Sequence, residues 1–151
     1  MTTTMSTRVT LSRLALHDAS WLFATYRDCM RVYVEPEYGW DETRQRDGLA
    51  GSVGEGVWRI LSLDGVRCGF VHWENSRADI TLKLLCVISA MQQRGIGSAV
   101  LDRLEAHARS SGKPLHLKAL ASNHIAYDWY VRRGFVETAR DVHSRSLVWR
   151  A

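Results

Sequence analysis

Residues 91–100 read MQQRGIGSAV, and they stand between a strongly apolar run, Leu84 to Ile88, and an aliphatic series. Ile96, Val100, Leu104 and Ala108 lie at near-helical spacing, so a helix begins inside the quoted stretch. Two glycines, Gly95 and Gly97, occupy its start. Inside a helix, glycine is destabilising by roughly 0.5–1 kcal/mol relative to alanine, so something must need the bare backbone. A helix N-terminus offers unpaired N–H groups and a partial positive charge, a combination that suits phosphate. With no Cβ at either glycine, and with Arg94 and Ser98 beside them, the turn reads as a pyrophosphate cradle. The competing reading is a simple turn with a tight helix–sheet contact.

Two other phosphate loops are excluded. Gly-x-x-x-x-Gly-Lys-Ser/Thr is absent, and Gly-x-Gly-x-x-Gly fails because the helix continues through Leu101. The strand–glycine–helix unit also comes late, after three strands of antiparallel character, whereas a dinucleotide-binding domain starts with it.

Working outward, RVTLSRL alternates from Val9 as a first strand, and His17-Asp18 opens an amphipathic helix with Asp18 as N-cap. RVYVEPEYGWDE contains a proline and a glycine and is expected to break that helix. Asp41 begins a second helix, which the glycines at 48, 51, 54 and 56 bring to an end. VWRILSL, Asp64-Gly65 and VRCGFVHW form a hairpin signature, and ADITLKLLCVI is a third strand of that series. The helix from Ile96 ends at Ser110-Ser111-Gly112. PLHLKAL is a short strand, SNHIAYDWYVRR a helix stopped by Gly134, and FVETAR with HSRSLVWR a closing strand pair. The order β-α-α-β-β-β-α-β-α-β-β predicts a mixed α/β domain around one sheet.

A chain of 151 residues fits one domain, here taken as 1–151. Hydrophobic content of 46% and charged content of 24% are ordinary for a globular protein. No apolar run approaches the ~20 residues that span a bilayer, and MTTTMSTRVTLSRLAL lacks a basic region followed by an apolar core. Cys29, Cys68 and Cys86 have no metal-type spacing and suit reduced thiols in a cytoplasm. The formal charge of +4 suits a phosphate-rich ligand, but the basic residues are scattered and form no stripe for nucleic acid.

The second informative stretch is SNHIAYDWYVRRGF. Asn123 is placed to cap its helix, and Tyr130, seven residues on, lies about two turns along nearly the same face. Ala126 between them is small. An amide, a methyl and a phenol on one face suit a slender ligand running along it. The alternative is a core helix whose tyrosine finds a backbone partner, a role better suited to Tyr127 and Trp129.

Together, LLCVISAMQQRGIGSAVLDRLEAHA and LKALASNHIAYDWYVRRGF resemble the GNAT superfamily of N-acetyltransferases. The resemblance is specific over residues 80–136, with Gln92-x-x-Gly95-x-Gly97 as the acetyl-CoA motif and Asn123, Ala126, Tyr130 and Gly134-Phe135 at the family's spacing. It implies an α/β (α+β) fold: a single domain with a mixed, mostly antiparallel central sheet, splayed in the middle and flanked by helices. It implies an acetyl-CoA-dependent transfer to a primary amine of a small molecule or peptide, with no metal.

By that resemblance the backbone of Leu85, Cys86 and Val87 holds the pantetheine arm, and the amides of Gln92, Gln93, Arg94, Gly95, Ile96, Gly97 and Ser98 hold the pyrophosphate. Asn123 contacts the arm and Tyr130 protonates the departing thiolate, as a general acid can. Ser89 departs from the proline common in the family, and Lys118 stands where some protein-acetylating members carry a catalytic glutamate. Lysine is a poor base unless its pKa is depressed, so His116, Glu74 and His72 are the base candidates beside an ordered water. The segment between the first two helices sets the acceptor in such folds. Here Tyr33, Glu35, Glu37 and Trp40, with Tyr38 and Asp41, offer carboxylates and aromatic walls for a protonated amine. Expected partners are acetyl-CoA and an amine acceptor, with no nucleic acid, no membrane and a homodimer left open. A catalytically weak CoA-binding module is the alternative function.

Overall fold

A two-residue Asp-Gly turn has the twist that antiparallel strands require, and here Asp64 and Gly65 take φ of 50° and 84°. The turn joins β2 (Val57–Leu63) to β3 (Val66–Asn75), the centre from which the sheet is built. A computed structural model describes residues 8–151. Residues 1–7, the start of the stretch that shows no secretory pattern, lie outside them. The other strands are β1 (Val9–Arg13), β4 (Ile80–Val87), β5 (Leu115–Leu120), β6 (Val136–Arg140) and β7 (Ser144–Trp149). The helices are α1 (Ala19–Tyr38), α2 (Glu42–Ser52), α3 (Ile96–Ser111) and α4 (His124–Arg132), which reproduces the expected order.

The seven strands form one sheet in the order β1-β2-β3-β4-β5-β7-β6. Every neighbour pair is antiparallel except β4–β5. That parallel pair is joined only at Ile80–Leu115, Thr81–His116 and Leu82–Leu117. Beyond Leu82 the two strands part, while β4 stays paired with β3 as far as Val87. The sheet is splayed in its middle.

Both faces are covered, so β4 buries side chains in two directions. On one face Ile96, Val100, Leu101, Leu104 and Ala108 of α3 pack with Leu61, Val71, Ile80, Leu82, Leu115 and Leu117. On the other, Leu22 and Phe23 of α1 and Leu49 of α2 pack with Trp58, Phe70 and Cys86. Leu85 and Val87 join the first cluster, and Leu84 and Cys86 the second.

Three local expectations need correction. Helix α1 is not broken by YVEPEYG but runs to Tyr38 with Pro36 inside it. A proline in the last turn removes one intrahelical bond, that to the carbonyl of residue 32; Val32 is 64% exposed, where water can take that carbonyl. Gly39, at φ 75°, then ends the helix, its N–H reaching the Glu35 carbonyl at 2.9 Å. Asp18 stands at the N-cap of α1, yet its carboxylate folds back to accept the Ala15 N–H and the Arg67 guanidinium, both at 2.8 Å. Helix α2 passes through Gly48 and Gly51 and stops at Ser52, with Asp41 capping its start through the Arg44 N–H at 2.9 Å.

Candidate active site

Where β4 leaves β5, a cleft of about 370 Å³ opens toward the start of α3 and one face of α4. Strand pairing decides what its wall presents. The Ile88 N–H points toward β3 and reaches the Cys68 carbonyl at 2.8 Å. Backbone groups alternate sides along a strand, so Leu85 and Val87 turn theirs into the gap. The Val87 carbonyl indeed takes Gln92 Nε2 at 2.9 Å and Cys29 Sγ at 3.3 Å. A strand edge left open in this way can bond an extended ligand that carries amides.

The cleft's far wall is the turn before α3. Gln93 and Gly95 both take positive φ, 62° and 79°. The first helical bond runs from the Ala99 N–H to the Gly95 carbonyl at 3.0 Å, which leaves the amides of Ile96, Gly97 and Ser98 without helical acceptors. Gly95 is needed for its left-handed backbone. For Gly97 the constraint is a neighbour: a Cβ there would stand 3.0 Å from the Trp129 ring of α4. The tight contact at this turn is therefore between helices rather than between helix and sheet.

On α4, Asn123 caps the helix by accepting the Ala126 N–H at 3.1 Å. Tyr130 lies on the same side, 9% exposed, with its ring 5.1 Å from Trp129 and edge-on to Phe135 at 5.4 Å. Its hydroxyl has no hydrogen bond to any of the described residues, while Tyr127 gives its own to Glu137 at 2.7 Å. Burial pushes the Tyr130 phenol well above its usual pKa, so it is held protonated.

The structure thus gathers Leu85, Cys86, Val87, Gln92, Gln93, Gly95, Ile96, Gly97, Ser98, Asn123 and Tyr130 around one cleft. Arg94 belongs to the same turn but does not line it. Among the acceptor residues only Tyr33 does, and its carbonyl takes Ser122 Oγ at 2.6 Å. Because α1 stays helical through Pro36, its acidic and aromatic residues are spread around a helix instead of closing over a pocket. Glu35 pairs with Arg31 at 3.3 Å, and Glu37 with His143 at 3.2 Å. Trp40 gives its N–H to Glu42 at 2.8 Å and stacks on Tyr26.

The base candidates also fall outside the cleft. His116 sits beside Thr81 where β4 and β5 are still paired, 3.6 Å from Asp79. Glu74 lies 3.9 Å from His72, which is buried against Trp58 with Nε2 2.9 Å from the Glu55 carbonyl. Burial lowers the His72 pKa, so that ring is neutral. Among the described residues no carboxylate and no imidazole lines the cleft.

Sequence reading missed Cys29 and Met30, which reach the cleft from α1, and Gly69, which shapes it. The positions 26, 29, 30 and 33 do mark one helical face, and that was the available signal. Gly69 gives none: only the fold shows that its Cβ would stand 1.9 Å from the Cys86 carbonyl oxygen, where β3 presses against the part of β4 that has already left β5. Among the described residues no cluster of three or more His, Cys, Asp or Glu could hold a metal ion. No described helix is long and apolar enough to cross a membrane.

Solved structures with this fold are numerous. PaiA N-acetyltransferase of Thermoplasma acidophilum, solved with coenzyme A, superposes with a TM-score of 0.75 at 14% identity, over 95% of this chain and 99% of its own. An acetyltransferase of Thermus thermophilus gives 0.76 at 17% identity, over 95% and 97%. The ribosomal-protein-S18-alanine N-acetyltransferase of Escherichia coli gives 0.69 at 22%, over 93% and 90%. No curated protein matches the sequence. The model of the acetyltransferase (GNAT) family matches residues 17–135, which takes in the open edge of β4, the start of α3 and the Asn123–Tyr130 face, and the chain belongs to that family.

Proposed function

We propose that the protein transfers an acetyl group from acetyl-CoA to a primary amine by direct attack in a ternary complex. The observation that carries this reading is the parting of β4 from β5, which aims an open strand edge at a helix N-terminus across one cleft. The residues present fit the cofactor: Leu85 and Val87 offer backbone groups to the two amides of the pantetheine arm. The free amides of Ile96, Gly97 and Ser98 suit the pyrophosphate. A CoA-bound relative shares the fold.

In the reaction the amine nitrogen attacks the thioester carbonyl, and the carbon–sulfur bond then breaks. Tyr130, protonated and without a protein partner among the described residues, gives its proton to the departing sulfur. The amine's own proton leaves to solvent, since no lining side chain among the described residues is a carboxylate or an imidazole. Acceptor recognition begins at Tyr33, where α1 meets the cleft. The same reading keeps the enzyme in a cytoplasm, free of nucleic acid and membrane.

A panel of small amines and peptides, incubated with acetyl-CoA while thiol release is followed, tests the proposal. Turnover on some amine is the expected result. Tight acetyl-CoA binding with no turnover on any amine would favour the second reading, a CoA-binding module, which the cleft's lack of a base supports.

A further inference from the structure

We propose that Cys29 and Cys86 form an oxidisable dithiol in the cleft, which a hydroperoxide converts to a disulfide that pins α1 to β4. Cys29 lies on the face of α1 that lines the cleft, half-buried, with its Sγ–H directed at the Val87 carbonyl 3.3 Å away. Cys86 immediately precedes Val87 on β4, is 1% exposed and lines the same cleft. The two side chains line the same cleft and pack in one apolar cluster between α1 and β4. The third cysteine cannot join them. Cys68 is fully buried in the opposite layer and gives its Sγ–H to the Leu61 carbonyl at 3.4 Å.

The pair is asymmetric in a way that assigns roles. The neighbouring Cys86 thiol holds the Cys29 pKa down, whereas Cys29 and burial push the Cys86 thiol well up. Cys29 also faces the open cleft. It is therefore the attacking sulfur, because the thiolate is the nucleophile, and Cys86 is the resolving one.

Cys29 sulfur attacks the peroxide, an S–O bond forms as the O–O bond breaks, and hydroxide leaves to become water. Cys86 sulfur then attacks Cys29 sulfur; the S–S bond forms, the S–O bond breaks, and the Cys86 proton departs with the hydroxyl as a second water. Each sulfur gives up one electron and one peroxide is reduced to water. The Val87 carbonyl loses its Cys29 donor and α1 is tied to the strand edge. That this hinders acetyl-CoA rests on the cofactor reading given above; the disulfide itself does not.

The experiment treats the full chain with hydrogen peroxide, blocks remaining thiols, and reads intact mass and peptide map beside acetyl-CoA affinity. The expected product lacks two hydrogens, about 2 Da, and takes one thiol label where the reduced chain takes three; it carries a Cys29–Cys86 cross-link reversed by dithiothreitol, and the cross-link forms equally in Cys68→Ala. In Cys86→Ala, Cys29 should instead be trapped as a sulfenic acid by dimedone. Acetyl-CoA affinity should fall by roughly tenfold or more on oxidation, a loss of about 1.4 kcal/mol at least, and return on reduction. No cross-link, or one through Cys68, would overturn the dithiol. A disulfide that leaves affinity unchanged would overturn its effect on the cleft. If the reduced protein binds no acetyl-CoA, the acetyltransferase reading fails while the mass still decides the dithiol.

Discussion

Tyr130 has a phenol with no polar partner among the described residues, inside a cleft lined by the open edge of β4. Tyr130→Phe removes one hydroxyl and leaves the ring contacts with Trp129 and Phe135 in place. Folding and acetyl-CoA affinity should survive, while the transfer step measured before steady state slows by roughly 10²–10⁴-fold. The raised phenol pKa adds a pH signature. Transfer should rise with pH as the amine loses its proton, and no falling limb should appear up to about pH 10, the ordinary tyrosine value. A descending limb between pH 8 and about 9 would remove Tyr130 from the role of proton donor. Gly97 calls for a different design, because a side chain there meets Trp129 as well as any phosphate. Gly97→Ala should lose both stability and acetyl-CoA affinity. Adding Trp129→Leu should restore the melting temperature but not the affinity; recovery of both would reduce Gly97 to a packing residue.

At the scale of elements, Gly69 ties β3 to the part of β4 that leaves β5. In Gly69→Ala the new Cβ meets backbone, 1.9 Å from the Cys86 carbonyl oxygen, so a strand must move. Overpacking of this kind destabilises by about 1–3 kcal/mol or more. Denaturant unfolding should show that loss, and acetyl-CoA affinity should fall with it; a variant as stable as the parent would disprove the close approach. This position also shows where sequence reading stops. Strands, hairpin turn and the helix from Ile96 were legible because each is written in local periodicity and turn chemistry. The cleft-lining face of α4 was legible for the same reason, Asn123 and Tyr130 being two turns apart. What stayed hidden depends on partners distant in sequence: the Cys86 carbonyl above Gly69, the Arg67 that draws Asp18 away from its cap, and the ion pairs that engage Glu35 and Glu37. Pro36 misled for a local reason, its nearness to a helix end where one lost bond is tolerated.

For the molecule as a whole, acid stability carries the mark of His72. Its pKa is lowered by burial, so the unfolded chain binds a proton more readily than the folded one. Stability is then fully present above about pH 6.5, the free histidine value, and declines as pH falls below it. His72→Phe should flatten that decline between about pH 5 and 6.5, as read from melting temperature, while the Glu55 carbonyl keeps its bond from the Trp58 indole at 2.9 Å. An unchanged pH slope would place the effect elsewhere.

Only three rungs join the β1–β4 half of the sheet to the β5–β7–β6 half. Mechanically the molecule is two plates on a short hinge, with α3 lying across the joint. A ligand lodged in the cleft touches β4 of one plate and α4, which packs beside β5 of the other, and acts as a clasp, so the protein should stiffen along a seam the ligand never touches. Amide hydrogen exchange at Ile80–Leu82 and Leu115–Leu117, at the hinge, should slow when acetyl-CoA is added. Unaltered exchange there, with cofactor bound, would mean that the two plates already move as one.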